Sequence, residues 1–250
     1  MADDDSLLLW GRHALPTFQY TIRNPKHSIS HITAIQDLSR TICAADQPEV
    51  ASHGHLVWDA AVALADYLQA EATALGVSPA TRALELGAGI GLVGMALAAL
   101  GCKEVTLSDQ RYCLPLLNMN ATTNFTGANE ALRPVVRELQ WGTDDATTAT
   151  NGRPMDLVVA SDVLYNPSVF PKLVRTIAAL ASSETVLLMT HEIRNPDNEA
   201  DFFAQLAAAG FECTRVPFVS TQVDYPDDIV LMRAQRRLRT DDRAPTPMNT

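Results

Sequence analysis

Apolar and polar positions follow two different periods along this chain. Short, mostly apolar runs recur, and between them lie segments whose apolar residues return at helical spacing. The runs predict buried strands and the spaced segments predict amphipathic helices. The first helix is expected over 57–75, where Val57, Leu64 and Leu68 share one face and Gly76 marks the end.

Beyond residue 80, the predicted strands and helices alternate. Strands are expected over 81–86, 104–109, 133–141, 155–165, 185–193, 211–218 and 228–234. Helices are expected over 91–100, 112–125, 168–181 and 199–209. Short apolar strands that alternate with helices form a mostly parallel sheet covered on both faces. The order therefore predicts a doubly wound α/β fold with a seven-stranded, Rossmann-like sheet.

The chain divides into three predicted parts. Residues 1–55 form an N-terminal extension, in which the stretch "FQYTIRNPKHSISHITAI" has a turn signal at Asn24 and Pro25 and indicates a β-hairpin. Residues 56–234 form the α/β domain. Residues 235–250 are polar and contain proline, which predicts a disordered tail, and the polar stretch 143–152 predicts a flexible loop.

Composition narrows the range of partners. The 250 residues include 19 Lys and Arg against 29 Asp and Glu, a formal charge of −10, so general attraction to nucleic acid or to an anionic membrane is not expected. The four cysteines form no CxxC pair, which favours reduced thiols in a cytoplasmic protein. The acidic N-terminus is not typical of a signal peptide. We expect a soluble cytoplasmic monomer.

Residues 84–94, "LELGAGIGLVG", place four of the chain's 12 glycines directly after a predicted strand. Such a loop at a helix N-terminus lets backbone amides approach a ligand closely. A phosphate-binding P-loop is excluded, because Met95 and Ala96 stand where Lys and Ser or Thr are required. A dinucleotide site stays open, since the GxGxxG pattern is satisfied and Asp109 follows at the end of the next strand.

Five stretches together resemble one enzyme family. They are "VWDAA" (57–61), "LELGAGIGLVG" (84–94), "VTLSD" (105–109), "VVRELQWG" (135–142) and "SDVLY" (161–165). Their order and spacing are similar to those of the seven-strand protein-lysine methyltransferases related to the Hsp70, valosin-containing-protein and elongation-factor lysine methyltransferases. The resemblance covers roughly 110 residues and implies S-adenosylmethionine as the cofactor. Ile90 is a mild departure from the small residue that the family more often has there.

The resemblance also implies a set of site residues. A carboxylate at the end of the second strand, Asp109, can accept hydrogen bonds from both ribose hydroxyls. Glu85 gives the loop an acidic neighbour that suits a sulfonium and an ammonium better than a pyrophosphate. The implied cofactor-binding residues are Trp58, Glu85, Gly87, Ala88, Gly89, Asp109, Trp141 and Ser161.

The stretch "DVLY" lies at the carboxyl end of the fourth predicted strand, where open α/β sheets bind ligands. It matches the family's DxxY motif at Asp162 and Tyr165, which implies that Asp162 orients the acceptor amine and Tyr165 borders its channel. Adenine methyltransferases have [DN]PP[YF] near this position, and here Val163 and Leu164 replace both prolines. Nucleic acid is therefore a minor alternative.

The sequence thus predicts a protein-lysine N-methyltransferase whose substrate is a chaperone, an ATPase or a translation elongation factor. A methyltransferase for a small amine and a non-catalytic cofactor-binding protein remain as alternatives. His53 and His55 lie close together, but no third ligand has suitable spacing, so no metal site is expected.

Overall fold

The computed structural model describes residues 11–43, 53–143, 145–217 and 228–237. Its strands are β1 (Thr17–Thr21), β2 (His31–Ile35), β3 (Arg82–Leu86), β4 (Glu104–Asp109), β5 (Val135–Glu138), β6 (Met155–Ser161), β7 (Ala181–Glu192), β8 (Phe211–Val216) and β9 (Ile229–Arg236). Its α-helices are α1 (Asp59–Glu71), α2 (Leu92–Ala99), α3 (Leu114–Asn124), α4 (Asp145–Ala149), α5 (Phe170–Leu180) and α6 (Pro196–Ala208). Short 3-10 helices lie at Gly11–Ala14, Arg111–Cys113, Gly127–Leu132 and Pro167–Val169.

Strands β3 to β9 form one seven-stranded sheet in the order β5-β4-β3-β6-β7-β9-β8. The five strands from β5 to β7 are parallel, and β9 inserts antiparallel between β7 and β8. The strand order reverses between β3 and β6, which is the switch point where such sheets bind ligands. The predicted doubly wound α/β fold is confirmed.

Helices cover both faces of the sheet. Alternate residues of β3 point to opposite faces, so Ala83 packs in the core shared with α1, α2 and α3, whereas Leu84 and Leu86 pack in the core shared with α5 and α6. The two apolar layers hold the carboxyl ends of the strands at one fixed edge.

Strands β1 and β2 form a separate antiparallel pair, with Thr17 opposite Ile35 and Thr21 opposite His31. Tyr20, Ile22 and Ile32 are buried in the same apolar core as α1 and α2. The hairpin therefore packs on the sheet's helical layer, and the division of the chain at residue 55 stays a prediction.

Two sequence-based expectations are wrong. The polar stretch 143–152 contains helix α4, in which Ala146 is buried in the core beside α5 and Thr147 and Thr148 are exposed. The tail begins later than expected, since β9 includes Gln235 and Arg236 and pairs with both β7 and β8 there. Residues 218 and 238–250 lie outside the described residues. None of the described helices is long and apolar enough to cross a membrane.

Candidate functional site

A cavity of about 420 Å³ opens at the carboxyl edge of the sheet. The loops after β3, β4, β5 and β6 line it, together with the segment 53–58 that precedes α1 and with Arg194, which follows β7. Seven of the eight predicted cofactor-binding residues and both predicted catalytic residues border this cavity: Trp58, Gly87, Ala88, Gly89, Asp109, Trp141, Ser161, Asp162 and Tyr165. The fold thus brings together residues that lie far apart along the chain.

The glycine loop forms one wall of the cavity. Gly87 and Gly89 have φ values of 63° and 53°, in the left-handed region that favours glycine. A Cβ atom at Gly87 would lie 3.2 Å from Cζ2 of Trp141, and one at Gly89 would lie 3.2 Å from Cα of Gly54. Both positions therefore require glycine for conformation and for close approach of the neighbouring walls.

Asp109 is the last residue of β4, and its carboxylate accepts hydrogen bonds from backbone N–H groups, one of them in the glycine loop. Its Oδ2 accepts a hydrogen bond from the Gly89 N–H at 2.7 Å, and its Oδ1 accepts one from the Gln110 N–H at 2.7 Å. Burial raises the pKa of this carboxyl group, and the two backbone N–H groups oppose that shift by stabilising the charged form. Each carboxylate oxygen has a second lone pair, so Asp109 retains acceptor capacity toward the cavity.

Glu85 is the predicted residue that does not line the cavity. It faces the α2 side of the sheet with Ala83, and its Oε2 accepts a hydrogen bond from the Gly94 N–H at 2.8 Å in the first turn of α2. Burial, with the nearby Asp109 charge, raises the pKa of Glu85 to about 8. Glu85 thus holds the helix start behind the loop. The alternation of side chains along β3 could have predicted this direction of the Glu85 side chain, because Glu85 lies between two residues that face the opposite side.

Aromatic rings border the rest of the opening. The Trp58 indole donates a hydrogen bond to the His53 carbonyl at 2.9 Å, and the His53 ring lies 4.9 Å from the Tyr165 ring, between centroids. Tyr165 is 44% exposed, although burial of part of the side chain raises the pKa of its hydroxyl. A partly open aromatic wall of this kind can pack against the apolar stem of a long side chain.

Asp162 directly follows β6 and has a φ of 55°, in the left-handed region. Its carboxylate is held by the guanidinium of Arg194, with Nη1 to Oδ1 and Nη2 to Oδ2 both at 2.7 Å. Ser161, the last residue of β6, pairs with Thr190 on β7.

Sequence reasoning missed several residues of the cavity wall. Arg194, Tyr112 and Gly54 line it, and so does His53, whose place in the sequence raised only the question of a metal ligand. Arg194 could have been found, because it follows the end of β7 just as Asp162 follows the end of β6. No group of His, Cys, Asp and Glu side chains within the described ranges is arranged to hold a metal ion.

Known proteins are similar to this chain in sequence or in fold. A family model described as lysine methyltransferase matches residues 39–209. Protein N-lysine methyltransferase METTL21A of Mus musculus is 34% identical over 188 residues, which cover 75% of this chain and 79% of that protein. EEF1A lysine methyltransferase 3 of Xenopus tropicalis is 29% identical over 150 residues, which cover 60% of this chain and 62% of that protein.

A solved structure with the same fold is that of the glycopeptide N-methyltransferase MtfA complexed with sinefungin. This structure superposes on the chain with a TM-score of 0.54 at 15% sequence identity, and the match covers 69% of this chain and 94% of that chain. The same enzyme complexed with S-adenosyl-L-methionine has a TM-score of 0.50 at 15% identity, over 67% of this chain and 86% of that chain. These structures share the fold with this chain.

The cavity fits S-adenosylmethionine by its own features. Gly87 and Gly89 expose loop backbone to the cavity, Asp109 offers a carboxylate at the end of β4, and Trp58 and Trp141 supply aromatic surface. The resemblance carried by the five motifs is confirmed by the family match and by the relatives. The chain belongs to the lysine methyltransferase family and is an S-adenosylmethionine-dependent protein-lysine N-methyltransferase.

Proposed function

We propose that the acceptor lysine of a protein substrate enters between Tyr165 and Trp58 and that its amine meets Asp162. The observation that carries this proposal is that all three side chains border the cavity that the glycine loop and Asp109 also line. A single cavity thus combines an apolar wall, a carboxylate and the features that suit the cofactor.

The proposed cofactor contacts follow from the cavity wall. Gly87, Ala88 and Gly89 present backbone groups, and Asp109 accepts from the ribose with the acceptor capacity that Gly89, Gln110 and the Cys113 thiol leave free. The proposed contacts further include Trp58, Trp141 and Ser161. S-adenosylmethionine supplies an electrophilic methyl group on a sulfonium. Glu85 acts through α2, because its carboxyl group is turned away from the cavity.

The lysine amine must be neutral to attack. Free lysine has a pKa of about 10.4. Desolvation in a partly apolar channel and the cationic sulfonium both lower that pKa, whereas the Asp162 carboxylate opposes the shift because it stabilises the ammonium. Asp162 orients the amine and accepts its hydrogen bond, which favours one line of attack. The raised pKa of Tyr165 keeps its hydroxyl protonated, so it can donate a hydrogen bond beside the channel.

The finer identity of the substrate is a further part of the proposal. EEF1A lysine methyltransferase 3 is among the relatives, which supports a translation elongation factor, and a chaperone or an ATPase is proposed beside it. We also propose that the enzyme acts as a monomer in the cytoplasm. Four free cysteines, of which Cys43, Cys102 and Cys113 are buried, support a reducing compartment.

The test uses radiolabelled S-adenosylmethionine and lysate from cells that lack this enzyme. Wild type should label a protein band, and Asp162→Ala should reduce the initial rate by about a hundredfold, since an orienting group acts in the transition state. In calorimetry, the affinity of Asp162→Ala for S-adenosylhomocysteine should differ from that of wild type by less than about threefold, because the proposed role of Asp162 is to orient the amine and not to bind the cofactor. Asp201→Ala on the exposed side of α6 is the matched control and should keep the wild-type rate.

Each other result contradicts a defined part of the proposal. A folded Asp162→Ala variant with the wild-type rate would remove Asp162 from the acceptor site. Label found only in small metabolites would favour the small-amine alternative, and cofactor binding with no label in any fraction would favour the non-catalytic one.

A further inference from the structure

Arg194 makes a bidentate contact with a carboxylate of the cavity wall. Its two terminal nitrogens each donate to one oxygen of Asp162 at 2.7 Å, and Nη2 also lies 2.7 Å from Oε2 of Glu192. Two parallel hydrogen bonds fix a carboxylate in both distance and plane, which a single hydrogen bond does not do. Arg194 therefore determines the orientation of the Asp162 carboxylate.

The backbone of Asp162 adopts a left-handed conformation that neighbouring contacts maintain. Its φ of 55° costs roughly 1–2 kcal/mol for a residue with a Cβ, so surrounding contacts must maintain it. The Asp162 N–H donates to the Thr190 carbonyl at 2.8 Å, and Oδ1 lies 3.4 Å from the Glu192 N–H. The end of β7 and Arg194 thus hold both the backbone and the side chain of Asp162.

The charges around Arg194 leave the site attractive to a cation. Arg194 faces the carboxylates of Asp162 and Glu192, and its Cζ lies 5.9 Å from the centroid of the Trp58 ring. One guanidinium against two carboxylates leaves one negative charge. The Asp162 side chain is only 7% exposed, whereas Arg194 and Glu192 are 40% and 41% exposed. The inner carboxylate is therefore fixed, and the outer one faces solvent.

We propose that Arg194 is a positioning residue for methyl transfer, which holds the Asp162 carboxylate in the one orientation that aligns the acceptor amine. This inference rests on the proposed role of Asp162 in the acceptor site. In this proposal Arg194 acts through Asp162, the carboxylate that its two terminal nitrogens contact. Arg194→Lys cannot reproduce the function fully, because an ammonium has no planar pair of donors.

The experiment compares Arg194→Ala and Arg194→Lys with wild type in the lysate labelling assay. Arg194→Ala should lower the saturated rate by about tenfold or more, because a misplaced orienting group costs turnover, and Arg194→Lys should be intermediate. Affinity for S-adenosylhomocysteine should change by less than about threefold in both variants. Arg133→Ala is the control, since Arg133 forms an exposed pair with Glu130, and it should leave the rate unchanged.

Chemical rescue separates positioning from a merely structural role. Added methylguanidine should restore part of the rate of Arg194→Ala by occupying the vacated place beside Asp162, whereas methylammonium should restore less. Neither additive should raise the rate of Asp162→Ala. The double variant Asp162→Ala with Arg194→Ala should be no slower than Asp162→Ala alone, because both substitutions remove one function.

The outcomes distinguish this inference from the proposed function. If Asp162→Ala is slow but folded Arg194→Ala and Arg194→Lys both keep the wild-type rate, only the role of Arg194 is overturned. If Asp162→Ala itself keeps the wild-type rate, the proposed acceptor site is overturned and this inference falls with it. A rate loss in Arg194→Ala that is matched by an equal loss of cofactor affinity, with no rescue, would also contradict positioning.

Discussion

Glu85 is a buried carboxyl group that links the glycine loop to the helix after it. It is 1% exposed, and its hydrogen bond to Gly94 satisfies one of the free N–H groups at the start of α2. Burial raises its pKa from 4.5 to about 8. At neutral pH the folded protein therefore favours the protonated carboxyl, whereas the unfolded chain has it ionised.

This difference predicts a pH-dependent stability. Between pH 4.5 and about 8 the folded state binds the proton that the unfolded state releases, so the contribution of Glu85 to the free energy of unfolding falls as pH rises. Glu85→Gln keeps an acceptor for Gly94 and cannot ionise. Its stability relative to wild type should rise from about pH 5 to about pH 8, by on the order of a few kcal/mol. Urea denaturation at several pH values measures this, and a constant difference would contradict the burial effect.

At the scale of elements, α3 and β2 pair through side-chain amides. Asn120 accepts from the Ile35 N–H at 2.6 Å and donates to the Ile35 carbonyl at 3.1 Å, and Asn124 does the same to Thr33 at 2.7 and 2.9 Å. Four residues of helix advance about 6 Å and two residues of strand about 6.6 Å, so the two spacings match. The amides thus satisfy an edge of β2 that a neighbouring strand would otherwise occupy.

Removal of one amide should loosen the hairpin. Asn120 is fully buried, so Asn120→Ala leaves the partly buried Ile35 N–H and carbonyl without these partners, which costs up to roughly 1–3 kcal/mol for each group. The free energy of unfolding should fall by about 2–4 kcal/mol in chemical denaturation. Asn118→Ala is the matched control, because Asn118 is exposed on the same helix and bonds only the Leu114 carbonyl in the described contacts. An equal loss in both variants would contradict the pairing.

At the scale of the whole molecule, the N-terminal region supports the cavity wall. Gln36 is buried, its Nε2 donates to the carbonyls of Arg12 and Leu15 at 2.7 Å, and its Oε1 accepts from the Val57 N–H at 2.8 Å. The His13 ring lies 5.4 Å from the Trp58 ring, between centroids. Residues before the family match thereby hold the segment that carries Trp58.

Gln36→Ala should therefore affect ligand binding at a distance. Loss of the contact to Val57 lets the 53–58 segment move, so the affinity for S-adenosylhomocysteine should fall by about tenfold, equivalent to about 1.4 kcal/mol. Calorimetry measures the affinity, and denaturation confirms that the variant is folded. Gln19→Ala, at an exposed position of β1, should bind as wild type does. Unchanged affinity in Gln36→Ala would show that the N-terminal region supports stability only.

Local patterns in the sequence determined the order of the elements and the edge at which ligands bind. The short runs around buried apolar residues predicted β3, β4 and β6, and all three strands lie inside the sheet, between neighbouring strands. Glycines directly after β3 and acids at or directly after the ends of β4 and β6 then had to meet at one edge, since the strands are parallel. These features depend only on residues close together in the sequence, and the five family motifs contain them.

Only the tertiary structure decided which side chains meet. Asp162 and Arg194 are paired across neighbouring strands, 32 residues apart, and no periodicity encodes such a contact. Periodicity likewise does not encode the contact of Asn120 with the backbone of β2, 85 residues away. It also does not encode helix α4, which lies in a polar stretch and buries Ala146 in the core. Glu85 was assigned to the cavity by sequence position, and the pleat of β3 turned it toward α2. Long-range packing selects partners that local spacing leaves undetermined.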